Sequence, residues 1–225
     1  MKLKTIFPKK VSSFPYLCIV EEKVLHILEK VRRLYHRYGI KSVTMDDVSS
    51  HLGISKKTLY EYFKDKEDLV RQVLLLKQEW MKAKFSEIAE KKLNAIEELF
   101  EVYKILNEIF KEYNPSMEYD IRKYYPDICT WDRDEHRKRM YDTAYTNMLK
   151  GKNEGLYRKE LDASIIARLL VSRAETMISN DLFTQEELTS FKVFQEIFVY
   201  NLHGILSHKG REFFEINFEK IKTSL

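Results

Sequence analysis

Between Ser55 and Lys66 the chain reads SKKTLYEYFKDK, which brings Lys56, Lys57, Thr58, Tyr60, Tyr62 and Lys66 within twelve residues, with Thr44 a short distance upstream. Every one of these side chains can donate a hydrogen bond, and Lys56, Lys57 and Lys66 also carry positive charge. Such a set suits acceptor-rich, anionic partners better than bond-breaking chemistry. The rest of the chain supplies no competing constellation: there is no phosphate loop, no metalloprotease helix signature and no nucleophile elbow. Of the six histidines, His203 and His208 are five apart, a poor spacing for one helical face, and the others are scattered, so no metal ligand set is expected. Catalytic residues and cofactors are therefore not assigned.

The elements that must hold this set are helices. Six glycines and four prolines in 225 residues, with 44% hydrophobic and 33% charged residues, describe a globular chain with long helical periodicities. Val24, Ile27, Leu28, Val31, Leu34, Tyr35 and Tyr38 recur at helical spacing, and Gly39 follows where a capping glycine belongs. Thr44 with Asp47 three residues on makes a capping-box pattern for a short second helix. Gly53 ends it, and Ser55 offers a hydroxyl to cap a third helix running to about Phe63. Val48, Leu52 and Leu59 share a core and Ser49 is small where the two helices cross, which is the helix-turn-helix arrangement. With Leu59 and Phe63 inward, Lys56, Lys57, Thr58, Tyr60 and Tyr62 are assigned to outer faces.

A fourth helix is expected from an Asp65 cap to about Lys84, with Glu67 and Asp68 in its first turn. Further helices are expected at about 94–113, 116–125, 134–152, 162–180, 184–208 and 211–222, with Asn114-Pro115 and Pro126 as stops.

The stretch GIKSVTMDDVSSHLGISKKTLYEYFKDKEDL, residues 39–69, resembles the DNA-binding domain of the tetracycline-repressor (TetR) family of bacterial transcriptional regulators. The motif elements are the glycine after the first helix, threonine before the second, Gly-Ile-Ser at the turn, Thr-Leu-Tyr, and Phe-Lys-x-Lys-Glu-x-Leu entering the fourth helix. A weaker resemblance covers residues 148–170, MLKGKNEGLYRKELDASIIARLL. Three positions depart from the pattern: Lys57 stands where glycine or another small residue is common, Tyr62 where histidine is common, and Ser49 where alanine is frequent. The operator sequence of a relative is therefore not transferable.

The resemblance implies an all-α fold: an N-terminal three-helix helix-turn-helix DNA-binding domain at 21–66, followed by a helical effector-binding and dimerisation domain at 67–225. Residues 1–20 read as a loose basic arm, and Pro8, Lys9, Lys10 and Pro15 argue against a secretory leader there. The implied function is a sequence-specific DNA-binding regulator, most simply a repressor released from a palindromic operator by a small-molecule effector, acting in the cytoplasm. The N-terminus of the third helix would enter the major groove, with Lys57 and Thr58 reading base edges beside Ser55 and Lys56. Tyr60 and Tyr62 fit phosphate contacts. Thr44 and Lys66, at the starts of the second and fourth helices, would clamp phosphates where free N–H groups favour anions.

In the remaining helices the aromatic residues Tyr103, Phe110, Tyr124, Trp131, Tyr141 and Tyr145 are candidates to line an effector pocket. By the resemblance, Leu169, Met177, Phe194, Phe198 and Leu202 are candidates for a homodimer interface, and the helix of the last three carries apolar residues on more than one face. The charged run RDEHRKR, 133–139, reads as a solvated helix start. Cys18 and Cys129 match no disulfide framework, and no run is long enough to span a bilayer. The net charge of +4 is too small to argue for nucleic acid without the placement of its lysines. The competing reading is a helical protein-interaction module that keeps the head without sequence-specific DNA binding.

Overall fold

A computed structural model describes residues 22–111, 114–179, 183–188 and 190–222, which places the N-terminal arm and Cys18 outside the described residues. Among these residues the regular structure is helical: α1 (Glu22–Tyr38), α2 (Met45–Leu52), α3 (Lys56–Tyr62), α4 (Lys66–Glu90), α5 (Ala95–Lys111), α6 (Pro115–Tyr124), α7 (Pro126–Asn153), α8 (Ala163–Ser179), α9 (Gln185–Leu188), α10 (Phe191–Ile205) and α11 (His208–Lys222). One isolated antiparallel bridge, Tyr157 to Leu206, is the sole extended pairing described. The fold is all-α.

Three boundaries differ from the sequence reading. Helix α7 begins at Pro126 rather than near 134. A proline at the first helical position has no N–H to waste and a dihedral angle already suited to the helix, so Pro126 both ends α6 and starts α7. The run 133–139 consequently lies inside a long helix, not at a helix start, and Arg137 forks onto the Glu175 carboxylate through Nε (2.8 Å) and Nη2 (3.0 Å). The stretch read as one helix over 184–208 is divided into α9 and α10. There Thr184 caps α9 through Glu187, in the same reciprocal pattern seen at α2. Helix α4 also extends beyond Lys84, to Glu90.

The chain forms two compact units, residues 1–82 with 114–132, and residues 83–113 with 133–225. The first has an aliphatic core. Ile27, Val31 and Tyr35 of α1, Val48 of α2, Leu59 of α3, Phe63, and Leu69, Val70 and Val73 of α4 are all buried there, joined by Ile121 of α6 and Ile128 of α7. Burial of side chains of this size contributes roughly 1.5–3 kcal/mol each before chain entropy is counted. The first unit thus contains more of the chain than the helix-turn-helix segment.

The second unit has a mixed core. Ile96 and Phe100 of α5, Met148 of α7, Leu202 of α10 and Phe214 of α11 enclose Tyr157, whose hydroxyl lies 2.9 Å from Asn147 Oδ1 and 3.1 Å from the Ala95 carbonyl. Asn147 Nδ2 donates to the same carbonyl at 2.9 Å. Burial, with the charges of Glu98 and Glu154 nearby, pushes the Tyr157 phenol well above its ordinary pKa, so it stays a donor. The Tyr157 ring also lies against Gly151 of α7, where an added Cβ would stand 2.0 Å from it.

Candidate nucleic-acid interface

The surface begins with the crossing of α2 and α3. Val48 and Leu59, both 0% exposed, pin the two helices to the core. Ser49 is buried between them, and its hydroxyl donates to the Asp46 carbonyl at 2.9 Å, so its polarity there is satisfied. The turn closes through Ile54 N–H to the Ser49 carbonyl (3.1 Å), with Gly53 at φ 67°, a left-handed conformation that favours glycine.

Both short helices start with a side-chain cap. Thr44 Oγ1 accepts from Asp47 N–H at 3.2 Å and donates to Asp47 Oδ2 at 2.6 Å, while Thr44 N–H donates to the same carboxylate at 2.8 Å. The hydrogen bonds from Thr44, with Lys66 a smaller contributor, hold the Asp47 carboxyl below its ordinary pKa. Ser55 Oγ accepts from Thr58 N–H at 3.0 Å, and the two hydroxyls share a hydrogen bond at 2.9 Å. Thr44, held by Asp47, and Ser55 and Thr58, held by each other, are therefore already ordered before any partner arrives.

The cations differ in their freedom. Lys56 is exposed and pairs with Asp46 at 2.5 Å, a contact that raises its pKa and orients the ammonium across the start of α2. Lys57 is exposed and makes no ion pair among the described residues. Tyr60 is half exposed at the surface. Lys66 is half-buried and donates to the Lys41 carbonyl at 3.2 Å; burial lowers its pKa, against the opposing charges of Asp120 and Asp47.

Tyr62 does not lie on the outer face as its neighbours do. It is half-buried against the first core, with its ring centroid 6.4 Å from that of Phe63 and the Lys23 ammonium 5.5 Å above it. Its position, three residues after buried Leu59 and next to Phe63, rotates it toward the core side of a helix only seven residues long.

The aromatic candidates divide between the two units. Tyr124 and Trp131 belong to the first unit. There Trp131 packs against the core, and the Tyr124 ring has the Lys41 ammonium at 4.7 Å. Tyr103, Tyr141 and Tyr145 belong to the second. Tyr103 is 2% exposed and packs on Phe198 with ring centroids 4.3 Å apart, so it is core. Tyr141 and Tyr145 stack at 5.8 Å, and the Tyr141 hydroxyl shares a hydrogen bond with Ser164 at 3.0 Å. The side chain of Phe110 lies outside what is described, as do those of Met177 and Phe194.

Of the other interface candidates, Leu169 is exposed, whereas Leu202 is 1% exposed in the core of its own unit. Phe198 is half-buried against Phe100 (4.9 Å) and Tyr103. Apolar residues on several faces of α10 are thus partly explained by packing inside a single chain. Among the described residues no group of three His, Cys, Asp or Glu side chains could hold a metal, and no helix is long and apolar enough to cross a membrane.

Residues 27–73 match the model of the bacterial regulatory proteins of the tetR family. That stretch is a tetR-family segment. A curated relative of the chain is the HTH-type transcriptional repressor KstR2 of Mycolicibacterium smegmatis, 23% identical over 188 residues, which span 82% of this chain and 91% of the relative. Among solved structures, a transcriptional regulator from Cytophaga hutchinsonii superposes with a TM-score of 0.69 at 19% identity, covering 83% of this chain and all (100%) of that one. A transcriptional regulator from Saccharomonospora viridis, solved in complex with choline, does so with a TM-score of 0.62 at 19% identity, covering 82% and 97%. The capped α2–α3 pair lies inside the matched residues. Sequence reasoning missed Asp46 as the counter-ion of Lys56, and Asp120, whose Oδ2 accepts from Lys41 N–H at 2.8 Å across 79 residues of sequence. Asp46 could have been found one turn ahead of Ser50 on the face toward α3. No local signal marks Asp120.

Proposed function

We propose that this chain is a homodimeric tetR-family repressor that binds a palindromic operator in the cytoplasm and is released by a small organic effector. The observation that carries the reading is the α3 surface: Lys57 and Tyr60 stand exposed on a helix whose start is fixed by the Ser55–Thr58 cap. A rigid donor array at the N-terminal end of a helix fits the major groove, where lysine donates to guanine O6 and N7. Thr58 reads a base edge beside it, and Tyr60, Lys66 and the start of α2 at Thr44 contact phosphates on either side. Tyr62 contributes its hydroxyl from the helix edge. Residues 21–66 supply this contact, and the remainder of the chain supplies effector binding and dimerisation.

A two-fold protein places two recognition helices about one DNA turn apart, which is why the operator is palindromic. For dimerisation, Leu169 has the exposure an interface needs. For the effector, the stacked Tyr141–Tyr145 pair offers aromatic faces with hydroxyl handles. The choline complex of the Saccharomonospora viridis regulator supports a small organic ligand for this fold. Release requires that the effector bind the DNA-free state more tightly.

The test is selection of bound fragments from a random DNA pool at near-physiological and higher salt. A two-fold motif whose preference relaxes at one position in Lys57→Ala, at a cost of about 1–3 kcal/mol there, supports the reading. Binding that is indifferent to sequence and uniformly salt-sensitive overturns it.

A further inference from the structure

Outside the helix-turn-helix, the first unit gathers a second set of donors where the carboxyl end of α6 meets the turn after α1. Lys41 and Lys123 both address the ring of Tyr124, with ammonium nitrogens 4.7 Å and 5.5 Å from its centroid. Lys123 also donates to the Tyr119 hydroxyl at 2.8 Å and lies 5.1 Å from that ring. Two ammonium groups on one ring repel each other, and neither has a carboxylate partner among the described residues. Asp120, which also lines the groove beside them, accepts from the Lys41 backbone N–H. The Tyr124 phenol responds to this excess of positive charge, held below its ordinary pKa by Lys41 first and Lys123 after it.

A lysine in the last turn of a helix has a simpler role, which is to complement the negative end of the macrodipole. Lys123 does not take it up by hydrogen bonding: it donates to the Tyr119 hydroxyl and not to a terminal carbonyl. The location of the cluster gives it another role. The carbonyl of Lys41 accepts from Lys66, and Tyr125 is close enough to Asp65 and Glu67 to feel their charges. The end of α6 therefore adjoins the start of α4, where the proposed function assigns Lys66 a phosphate contact. A shallow groove of about 540 Å³, walled by Tyr38 and Tyr119 with Lys41 between them, opens beside it.

We propose that Lys41, Lys123, Tyr119 and Tyr124 form an accessory site for a DNA backbone phosphate, extending the track of the helix-turn-helix onto the base pairs flanking the half-site. A phosphodiester oxygen between the two ammonium groups would relieve their repulsion and accept from the Tyr124 hydroxyl. Because no base edge is involved, the site adds affinity and salt dependence without sequence preference. The assignment rests on the DNA-binding reading above.

The experiment titrates the full chain against its selected operator, carried on duplexes with long or trimmed flanks, across a range of salt. The proteins compared are the wild type, Lys123→Ala and Lys123→Arg. Lys123 is exposed, so the substitutions leave the core intact, which thermal melting verifies. On long duplexes, Lys123→Ala should shallow the log-affinity against log-salt slope by about 0.9 per protomer, and Lys123→Arg should restore it. On trimmed duplexes wild type and Lys123→Ala should coincide. An unchanged slope for Lys123→Ala on long duplexes overturns the accessory site while leaving the regulator reading intact. So does a Lys123-dependent rise in melting temperature with inorganic phosphate unaccompanied by any change of DNA slope, which would make this a small-oxyanion site. Failure of the wild type to bind any duplex sinks the regulator reading itself.

Discussion

In the first unit the hydrogen-bonding side chains that decide the structure sit at helix ends. Thr44 with Asp47 and Ser55 with Thr58 close the starts of α2 and α3, over a core of Ile, Leu and Val. In the second unit they sit inside, where Tyr157 and Asn147 converge on the Ala95 carbonyl among Phe100, Leu202 and Phe214. The difference is one of sequence distance. A cap is made by residues three apart, whereas Tyr157 meets Ala95 across 62 residues. Capping order is available as soon as a helix forms, and it fixes a surface. An internal polar contact forms only when distant segments arrive together, and it fixes which packing is accepted.

Four substitutions break or sharpen that contrast. The largest effect belongs to Leu59→Ala, which removes a fully buried anchor of α3 and should cost about 2–5 kcal/mol by denaturant unfolding. If its loss of hydrogen-exchange protection were not greatest over residues 45–63, the head would not be organised around this core. Gly151→Ala should follow at about 1–3 kcal/mol, since its Cβ would meet the Tyr157 ring at 2.0 Å. An unchanged midpoint would show that Tyr157 can yield.

Tyr157→Phe removes one hydroxyl from a dry site and leaves Asn147 Oδ1 short of a donor, for about 1–3 kcal/mol. Its loss should be the same at pH 5 and pH 8, because the raised phenol pKa keeps the group neutral throughout. The smallest effect, about 1 kcal/mol, belongs to Thr44→Ala, which removes the α2 cap. This last carries a pH signature. The folded Asp47 carboxyl sits below its unfolded value, so its contact with Thr44 stabilises above roughly pH 4 and is lost as pH falls through the folded pKa. The gap between wild type and Thr44→Ala in thermal melts should therefore narrow on acidification. A gap constant down to pH 2 would show that the carboxylate plays no part in the cap.

The same distinction explains what could be read in the sequence. The starts and ends of α1 to α3 follow from Gly39, Thr44, Gly53 and Ser55, each of which acts on its own neighbours. Lys57 and Tyr60 appear at the surface because buried Leu59 sets the helical phase. Tyr62 does not follow that logic, since in a helix of two turns the flanking Phe63 draws its side toward the core. Pro126 misleads because proline is equally at home after one helix and at the first position of the next. Leu202 reads as an interface residue only until Ile96, Phe100 and Phe214 are brought around it from α5 and α11, an arrival no local pattern announces. The aromatic residues from 103 to 145 look like one lining in the sequence, yet they are shared between two cores.

The turn between α2 and α3 holds a freedom that the crowded helix at Gly151 lacks. Nothing stands within 4 Å of where a Cβ on Gly53 would project, so the demand for glycine there is one of backbone dihedral energy and not of space. Asparagine, which tolerates the left-handed region better than other side chains, would fit without displacing an atom. The joint of the reading head is thus open to mutational drift, and its angle can be retained while the residue at its vertex changes.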